Sequence, residues 1–363
     1  MRSLTTRATA AEFGWVGGRR GLESRMVAAA GIPLDRLILR TLRSTDVSIH
    51  LALDPARLAA SVPQATVLLA RRRPAVVFTT GGYVAIPILT AAATLRIPSV
   101  LWEGNVVPGR SVRAVARLAS VIALSFAATA DRLDPGHPTF VTGTPIRDPE
   151  TIDREEARER LEIPAGLRAL LVFGGSQAVS RFNAAVAGAL PRLVERMAVV
   201  HVTGDAGYAD ALAAREALPP EMRARYLPHA FLRDEMTAAL AAADLVVGRA
   251  GSSTLAEVAA FGVPMVVVPY PHAAGHQRAN ARVLVEAGAA TLVEDADFDA
   301  DALVAATGIL DDPRRHLEAS AAARALGRPG AADAVAELVL ALAERRPLPD
   351  QAAIDRLATR RSS

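Results

Sequence analysis

Along the chain, short runs that are apolar at successive positions alternate with longer stretches whose apolar residues recur three or four apart. The runs FGWV, AVVFT, SVLW and SVIAL lie in the first half, and ALLVF, AVVHV, LVVG and PMVVVP in the second. A run that is apolar on both faces suits a strand buried within a parallel sheet, and the intervening stretches supply the helices that cover it. Two groups of such βα units predict two doubly wound sheets. Between the groups, PIRDPETIDREEARERLEIP is charged and interrupted by prolines, so it reads as a linker followed by a helix over residues 153–161. The expected domains are therefore residues 1–148 and 149–330. A C-terminal segment, 331–363, opens on a strongly apolar helix over 331–343 that can pack back on the first domain. No internal repeat of solenoid period interrupts this plan.

Composition narrows the chemistry. Apolar residues make up 51% of the 363 positions but aromatics only 4%, so the interior is built from Ala, Val and Leu. All 41 basic residues are Arg, which excludes a Lys nucleophile, a Schiff base and a Walker-type phosphate loop. The net charge of +3 is small for this length and does not imply nucleic acid as a partner. With no Cys, disulfides, thiolate nucleophiles and Cys-ligated zinc are excluded. The start MRSLTTRATAAEFGW has no apolar core of a secretory signal, and the expectation is an intracellular protein. The longest apolar stretch, residues 84–102, contains Pro87, Arg96 and Pro98 and falls short of the roughly 20 apolar residues that span a bilayer.

Two strand-to-helix junctions carry candidate chemistry. In ALLVFGGSQAVSRFNAAV, a strand runs into Gly174-Gly175-Ser176 and then a helix. Glycines there let backbone approach a ligand, and the helix N-terminus offers unpaired N–H groups to a phosphate; a tight turn without ligand is the alternative. In DLVVGRAGSSTLAEV, the small residues 251–254 open another helix, and Glu257 follows one turn on. A carboxylate so placed can accept both hydroxyls of a ribose. Further along, His272, His276, Gln277 and Asn280 supply neutral donors and acceptors of the kind that grip sugar hydroxyls, with Gln277 and Asn280 on one helix face. A solvated amphipathic helix is the competing reading. The run DADFDAD (295–301) lacks the Gly and distal Glu of a calcium loop and is expected to cap a helix over 302–309. The seven His residues show no metal-ligand spacing, so neither a metal nor a cofactor is expected.

The block from Arg249 to Ala290, with RAG, AEVAAFG, PYPH and HQRANA, resembles the MurG family. So do, in order, GGY (81–83), Glu103 with Asn105, Pro108-Gly109, Pro145-Ile146-Arg147, GGSQ (174–177) and FLRDEM (231–236). The resemblance covers roughly residues 12–345. It implies a GT-B fold, two Rossmann-like domains facing across a cleft, and inverting transfer of GlcNAc from UDP-GlcNAc to the lipid-linked muramyl-pentapeptide of peptidoglycan synthesis. By that likeness Ser176 lies at the nucleotide phosphates, Arg147 adds charge near the diphosphate, the Leu232 backbone holds uracil and Glu257 holds the ribose. Gln277 with Asn280 reads the GlcNAc hydroxyls, and Asn105 reaches toward the sugar. An acceptor of this kind also implies an anionic membrane surface as a partner, at the cytoplasmic face of the cell membrane. The segment VLLARRRP (67–74) and Arg110, Arg113 and Arg117 are the candidate docking elements.

The chain departs from the family pattern in places. A strand and a GGTGGH-type loop are expected before the region that opens here with MRSLTTRATAAEFGW, so residues 1–11 read as the tail of a first helix and upstream in-frame codons are expected to encode the loop. No catalytic base is assignable. Ala85, Val112 and Thr144 replace the family's Ser, Asn and Asn, all on the acceptor side or the cleft. Transfer to another glycolipid or natural product, and sugar-nucleotide binding without catalysis, remain as alternatives.

Overall fold

A computed structural model describes residues 2–7, 11–18, 27–39, 49–133, 136–147, 149, 152–175, 179–232, 235–273 and 275–360. The chain divides into two compact units, residues 1–143 with 331–358 and residues 144–330 with 359–363. The first contains α1 (Arg2–Arg7), β1 (Trp15–Gly17), β2 (Leu34–Arg36), α2 (Ile49–Arg72), β3 (Val77–Thr79), α3 (Ala85–Thr94), β4 (Ser99–Glu103), α4 (Arg110–Val115), β5 (Val121–Leu124) and β6 (Thr139–Val141). The second begins with α5 (Arg154–Arg160), β7 (Arg168–Phe173), α6 (Val179–Val194), β8 (Met197–Val202), α7 (Asp205–Glu216), β9 (Tyr226–His229) and α8 (Met236–Ala242). It continues with β10 (Leu245–Gly248), α9 (Ser252–Phe261), β11 (Met265–Val267), α10 (His276–Glu286), β12 (Ala290–Leu292), α11 (Ala300–Ala306) and α12 (Pro313–Leu326). Two further helices, α13 (Ala331–Ala343) and α14 (Gln351–Thr359), follow.

In the second unit the strands lie in the order β12-β11-β10-β7-β8-β9, every neighbour parallel. This is a doubly wound sheet whose strand order reverses between β7 and β10. All of β10 (LVVG) is buried, as a strand covered on both faces must be. Helix α6 shows why the sequence folds so: Phe182, Val186, Leu190 and Leu193 recur at helical spacing and pack with Leu170, Val172 and Val199. Each such side chain contributes about 1.5–3 kcal/mol when buried.

The first unit holds a parallel sheet in the order β3-β4-β5-β6 and a separate parallel pair, β1-β2. Strand β5 serves two cores. Val121 and Ala123 pack with Ala334, Val335, Leu338 and Val339 of α13, while Ile122 and Leu124 face Leu89, Val112 and Val115. Alternation along the strand thus assigns one face to α13 and the other to α3 and α4. Val112, where the family has Asn, is a core residue here, 3% exposed. Among the described residues β1 is paired only with β2, and β3 only with β4.

Candidate functional site

In a doubly wound sheet, ligands bind outside the carboxyl ends of the strands at the point where strand order reverses. Here that point lies between β7 and β10, and each strand exits into a glycine turn. After β7, Gly175 has φ +71°, and a Cβ there would meet nothing within 4 Å. Backbone conformation, rather than crowding, selects glycine. Ser176, next in the chain, lies outside the described residues. At the end of β10, Gly248 is chosen for space, since a Cβ would come 3.1 Å from the Phe173 carbonyl oxygen of β7.

The helices that follow β8, β10 and β11 all begin at a glycine, Gly204, Gly251 and Gly275, with no side-chain cap. By contrast, α5, α11 and α12 are capped by the carboxylates of Asp153, Asp299 and Asp312. An Asp cap stabilises a helix by about 1 kcal/mol. Where it is absent, the first-turn N–H groups and the positive end of the helix dipole stay open to an anion. The acidic run 295–301 works as the expected cap, through Asp299 to the Ala302 N–H, although its helix starts at Ala300 and ends at Ala306.

Glu257 lies on α9, partly buried. Burial pushes its carboxyl above the usual range, and the Arg147 guanidinium pulls it partly back. These two sequence-predicted residues are thus brought within electrostatic reach of each other, both in the second unit. Gln277 and Asn280 also converge, but on backbone. The Gln277 Oε1 accepts from the Ala250 N–H (3.2 Å) and the Tyr270 N–H (2.8 Å), tying the turn after β10 to the loop after β11. Among the described residues the Gln277 amide nitrogen donates to no side chain or carbonyl. Asn280 is fully buried, 0% exposed, and its Nδ2 donates to the Ala250 carbonyl (3.4 Å). Through that bond it holds the turn from behind.

Sequence reasoning did not single out the device that fixes this turn. The Arg249 side chain is buried, its guanidinium packed over the rings of Phe182 (4.8 Å) and Tyr270 (5.4 Å). Its Nη1 donates to the Val268 and Pro269 carbonyls and pairs with Asp295, which also receives Arg181. Asp295 belongs to the acidic run read as a cap. The signal that could have found it is a single unpaired Arg in an otherwise small-residue turn, since such a charge requires a buried partner.

Leu232, 9% exposed, follows β9. On β8, His201 is 1% exposed, bonded through Nδ1 to the Tyr226 hydroxyl, and burial lowers its pKa to about 4. In the first unit, the buried Glu103 carboxylate accepts from the Asn105 N–H (2.8 Å), the Asn105 Nδ2 (3.1 Å) and the Gly109 N–H (3.0 Å). The Asn105–Gly109 loop is thereby set by one side chain. Among the described residues no group of three or more His, Asp or Glu converges as a metal site.

Comparison with known proteins gives these features a class. Residues 1–124 match the Glycosyltransferase family 28 N-terminal domain and residues 169–338 the Glycosyltransferase family 28 C-terminal domain. The crystal structure of Acinetobacter baumannii MurG superposes with a TM-score of 0.74 at 24% identity, covering 93% of this chain and 94% of that one. Two parallel α/β units, the second with glycine turns at its switch point, therefore define a GT-B glycosyltransferase. Sequence identity takes the assignment further. The UDP-N-acetylglucosamine--N-acetylmuramyl-(pentapeptide) pyrophosphoryl-undecaprenol N-acetylglucosamine transferase of Desulforudis audaxviator is 36% identical over 346 residues, covering 92% of this chain and 91% of its own. The Moorella thermoacetica enzyme of the same name is 36% identical over 362 residues, covering 94% of each. The chain belongs to glycosyltransferase family 28, within the MurG transferases.

Proposed function

We propose that this chain transfers GlcNAc from UDP-GlcNAc to undecaprenyl-diphospho-muramoylpentapeptide, the step that forms the disaccharide lipid of peptidoglycan synthesis. The observation that carries the donor assignment is the glycine-capped N-terminus of α9 at the switch point, with Glu257 on the same helix. In this reading the α9 amides take the diphosphate, assisted by Ser176 and Arg147. Glu257 accepts the ribose hydroxyls, and the Leu232 backbone meets the base. The Gln277 amide nitrogen reads the sugar, held in place because its oxygen is already bonded to two backbone N–H groups. Asn280 acts through Ala250, and Asn105 serves the sugar from the first unit.

Chemically, the acceptor hydroxyl attacks the anomeric carbon, the bond to the UDP oxygen breaks, and configuration inverts. Charge developing on the leaving diphosphate is stabilised by oriented N–H groups that need no reorganisation. A base must take the hydroxyl proton, and no side chain is assigned to that task.

The lipid acceptor places the enzyme at the cytoplasmic face of the cell membrane. No helix among the described residues is long and apolar enough to cross a bilayer. Peripheral docking fits the end of α2, where Val67 is 51% exposed beside Arg71 and Arg72, and α4, which carries Arg110 and Arg113. Basic residues near an anionic surface contribute about 1 kcal/mol each.

Titration calorimetry with UDP-GlcNAc tests the donor site, and absence of binding defeats the sugar-nucleotide reading. Transfer of labelled GlcNAc to the muramyl-pentapeptide lipid is the second arm, in which binding without transfer identifies a non-catalytic protein. Sedimentation with anionic and neutral vesicles checks the docking surface.

A further inference from the structure

A second concave site lies at the opposite end of the donor-side sheet. It has a volume of about 340 Å³ and is walled by the residues that enter β10 and β11, the end of α9 and one face of α12. That volume is within the range of small-molecule sites. Asp244, which opens the site, and Arg249, at the candidate donor site, are separated by β10, roughly 16 Å at the rise of a strand.

The charges in this hollow do not balance. Its lining contains Arg154, Arg168 and Arg324 against one carboxylate, Asp244, and the His316 Nε2 is taken up by the Asp244 carbonyl (2.8 Å). Asp244 is buried and already engaged: Oδ1 receives Arg154 (3.0 Å) and Arg168 (2.8 Å), and Oδ2 receives the Ala169 N–H (2.8 Å). A third arginine, Arg158, stands 3.8 Å from Oδ2. The hydrogen-bonding capacity left in the lining is therefore mostly that of cationic donors.

Structural duty accounts for part of this cluster. Arg154 and Arg158 donate to the Ala241, Ala242 and Ala243 carbonyls at the end of α8, as basic residues at helix C-termini do. It does not account for Arg324. Its guanidinium lies against Gly262, where a Cβ would approach Nε to 2.8 Å, and it forms no hydrogen bond or ion pair with another described residue. Beside it the lining is apolar, from Phe261, Val263 and Leu317, the last 70% exposed.

We propose that this hollow is a binding site for a small organic anion, a phosphate or carboxylate on an apolar body, separate from the donor site. The anion bridges Arg324 and Arg168, while the body lies on Phe261 and Leu317. Strand β10 begins and α9 ends at this hollow, so its occupant contacts the far ends of the two elements that flank the turn at Arg249–Gly251.

Phenyl phosphate is the test ligand, titrated by calorimetry into the full chain with the donor site saturated by UDP. Phenol and inorganic phosphate are the controls, and UDP titrated alone reports the donor reading independently. The expected result is saturable binding of phenyl phosphate, weaker binding of phosphate and none of phenol. Arg324→Gln, which removes no internal bond, should weaken phenyl phosphate about tenfold, the loss of one charge-assisted hydrogen bond. Ser320→Asp, which adds a carboxylate to the lining, should abolish it; thermal melts of both variants confirm folding. The proposal is overturned by absence of binding up to about 10 mM. Equal binding of phosphate and phenyl phosphate, or unchanged affinity in both variants, overturns it as well.

Discussion

Replacing Glu257 by Gln should move stability and donor binding in opposite directions, and the structure supplies the sign of each. Burial is the larger influence on this carboxyl and raises it above its ordinary value of 4.5; the pull of Arg147 is the smaller. A group whose folded-state pKa is raised contributes its stability fully below the unfolded-state value and loses it as pH rises through the folded-state one. At pH 8 the wild-type chain therefore carries a buried negative charge that the neutral Gln lacks. Glu257→Gln should melt higher than wild type at pH 8, where each kcal/mol gained reads as about 2–4 °C for domains of this size. That gain should shrink toward pH 4, where wild-type Glu257 is protonated. Donor binding runs the other way. The ribose diol gives two hydrogen bonds to a carboxylate, and the amide keeps one acceptor oxygen without the charge. Losing one hydrogen bond to a charged partner, about 1.5–3 kcal/mol, predicts UDP affinity reduced roughly tenfold to a hundredfold. Thermal melts across pH and calorimetry with UDP read the two effects on the same samples. UDP affinity within twofold of wild type would refute the ribose assignment. A lower melting temperature at pH 8 would show that burial does not dominate the environment of Glu257.

Three further changes follow from the packing. His201 is buried neutral with a pKa of about 4 against 6.5 unfolded, so its contribution is complete above pH 6.5 and is lost as pH falls toward 4, about 3 kcal/mol in all; His201→Gln should flatten stability between pH 6.5 and 4.5 in urea titrations, and an unchanged slope would refute this. Asp295→Ala leaves the buried Arg249 and the nearby Arg181 without their shared carboxylate and should cost about 3–5 kcal/mol in urea unfolding, with UDP binding weakened because the α9 turn loosens. Gly327→Ala drives a Cβ to 2.7 Å from the Ala259 carbonyl oxygen of α9, a backbone atom that cannot rotate away, and should lower the unfolding free energy in urea titrations by about 1–3 kcal/mol.

What the sequence made legible follows from what it records locally. Buried strands announce themselves, because a strand covered on both faces must be apolar at every position, as LVVG and ALLVF are. The strands that left no such run are β2, β6, β9 and β12, and each lies at the edge of its sheet. LDR, TFV and ATL have no more than one buried residue each, and YLPH carries a proline. An edge strand is specified by its one neighbour, and that pairing is a tertiary fact. The same distinction separates the candidate residues. Glycine turns and Glu257 were visible because strand, turn and helix are contiguous, so position in the motif fixes position in space. The polarity and spacing of Asn280 were visible in the same way, while its burial against Ala250 was not.

Charge is the term that local reading handles worst. Arg249 and Asp295 are 46 residues apart and Arg168 and Asp244 are 76 apart, yet both pairings decide what the neighbouring turn can do. At one end of β10 a single arginine, boxed between two rings and a carboxylate, is consumed in holding the glycine turn. At the other, several arginines share one carboxylate and cationic donors remain. A buried charge held against a carboxylate serves rigidity, whereas an excess that solvent can still reach is available to a ligand. By that criterion the two ends of the same strand do different work. The donor end offers neutral backbone N–H groups, whose arrangement a fold-wide motif can encode. The opposite end offers side-chain cations, and only three-dimensional pairing shows which of them are already taken.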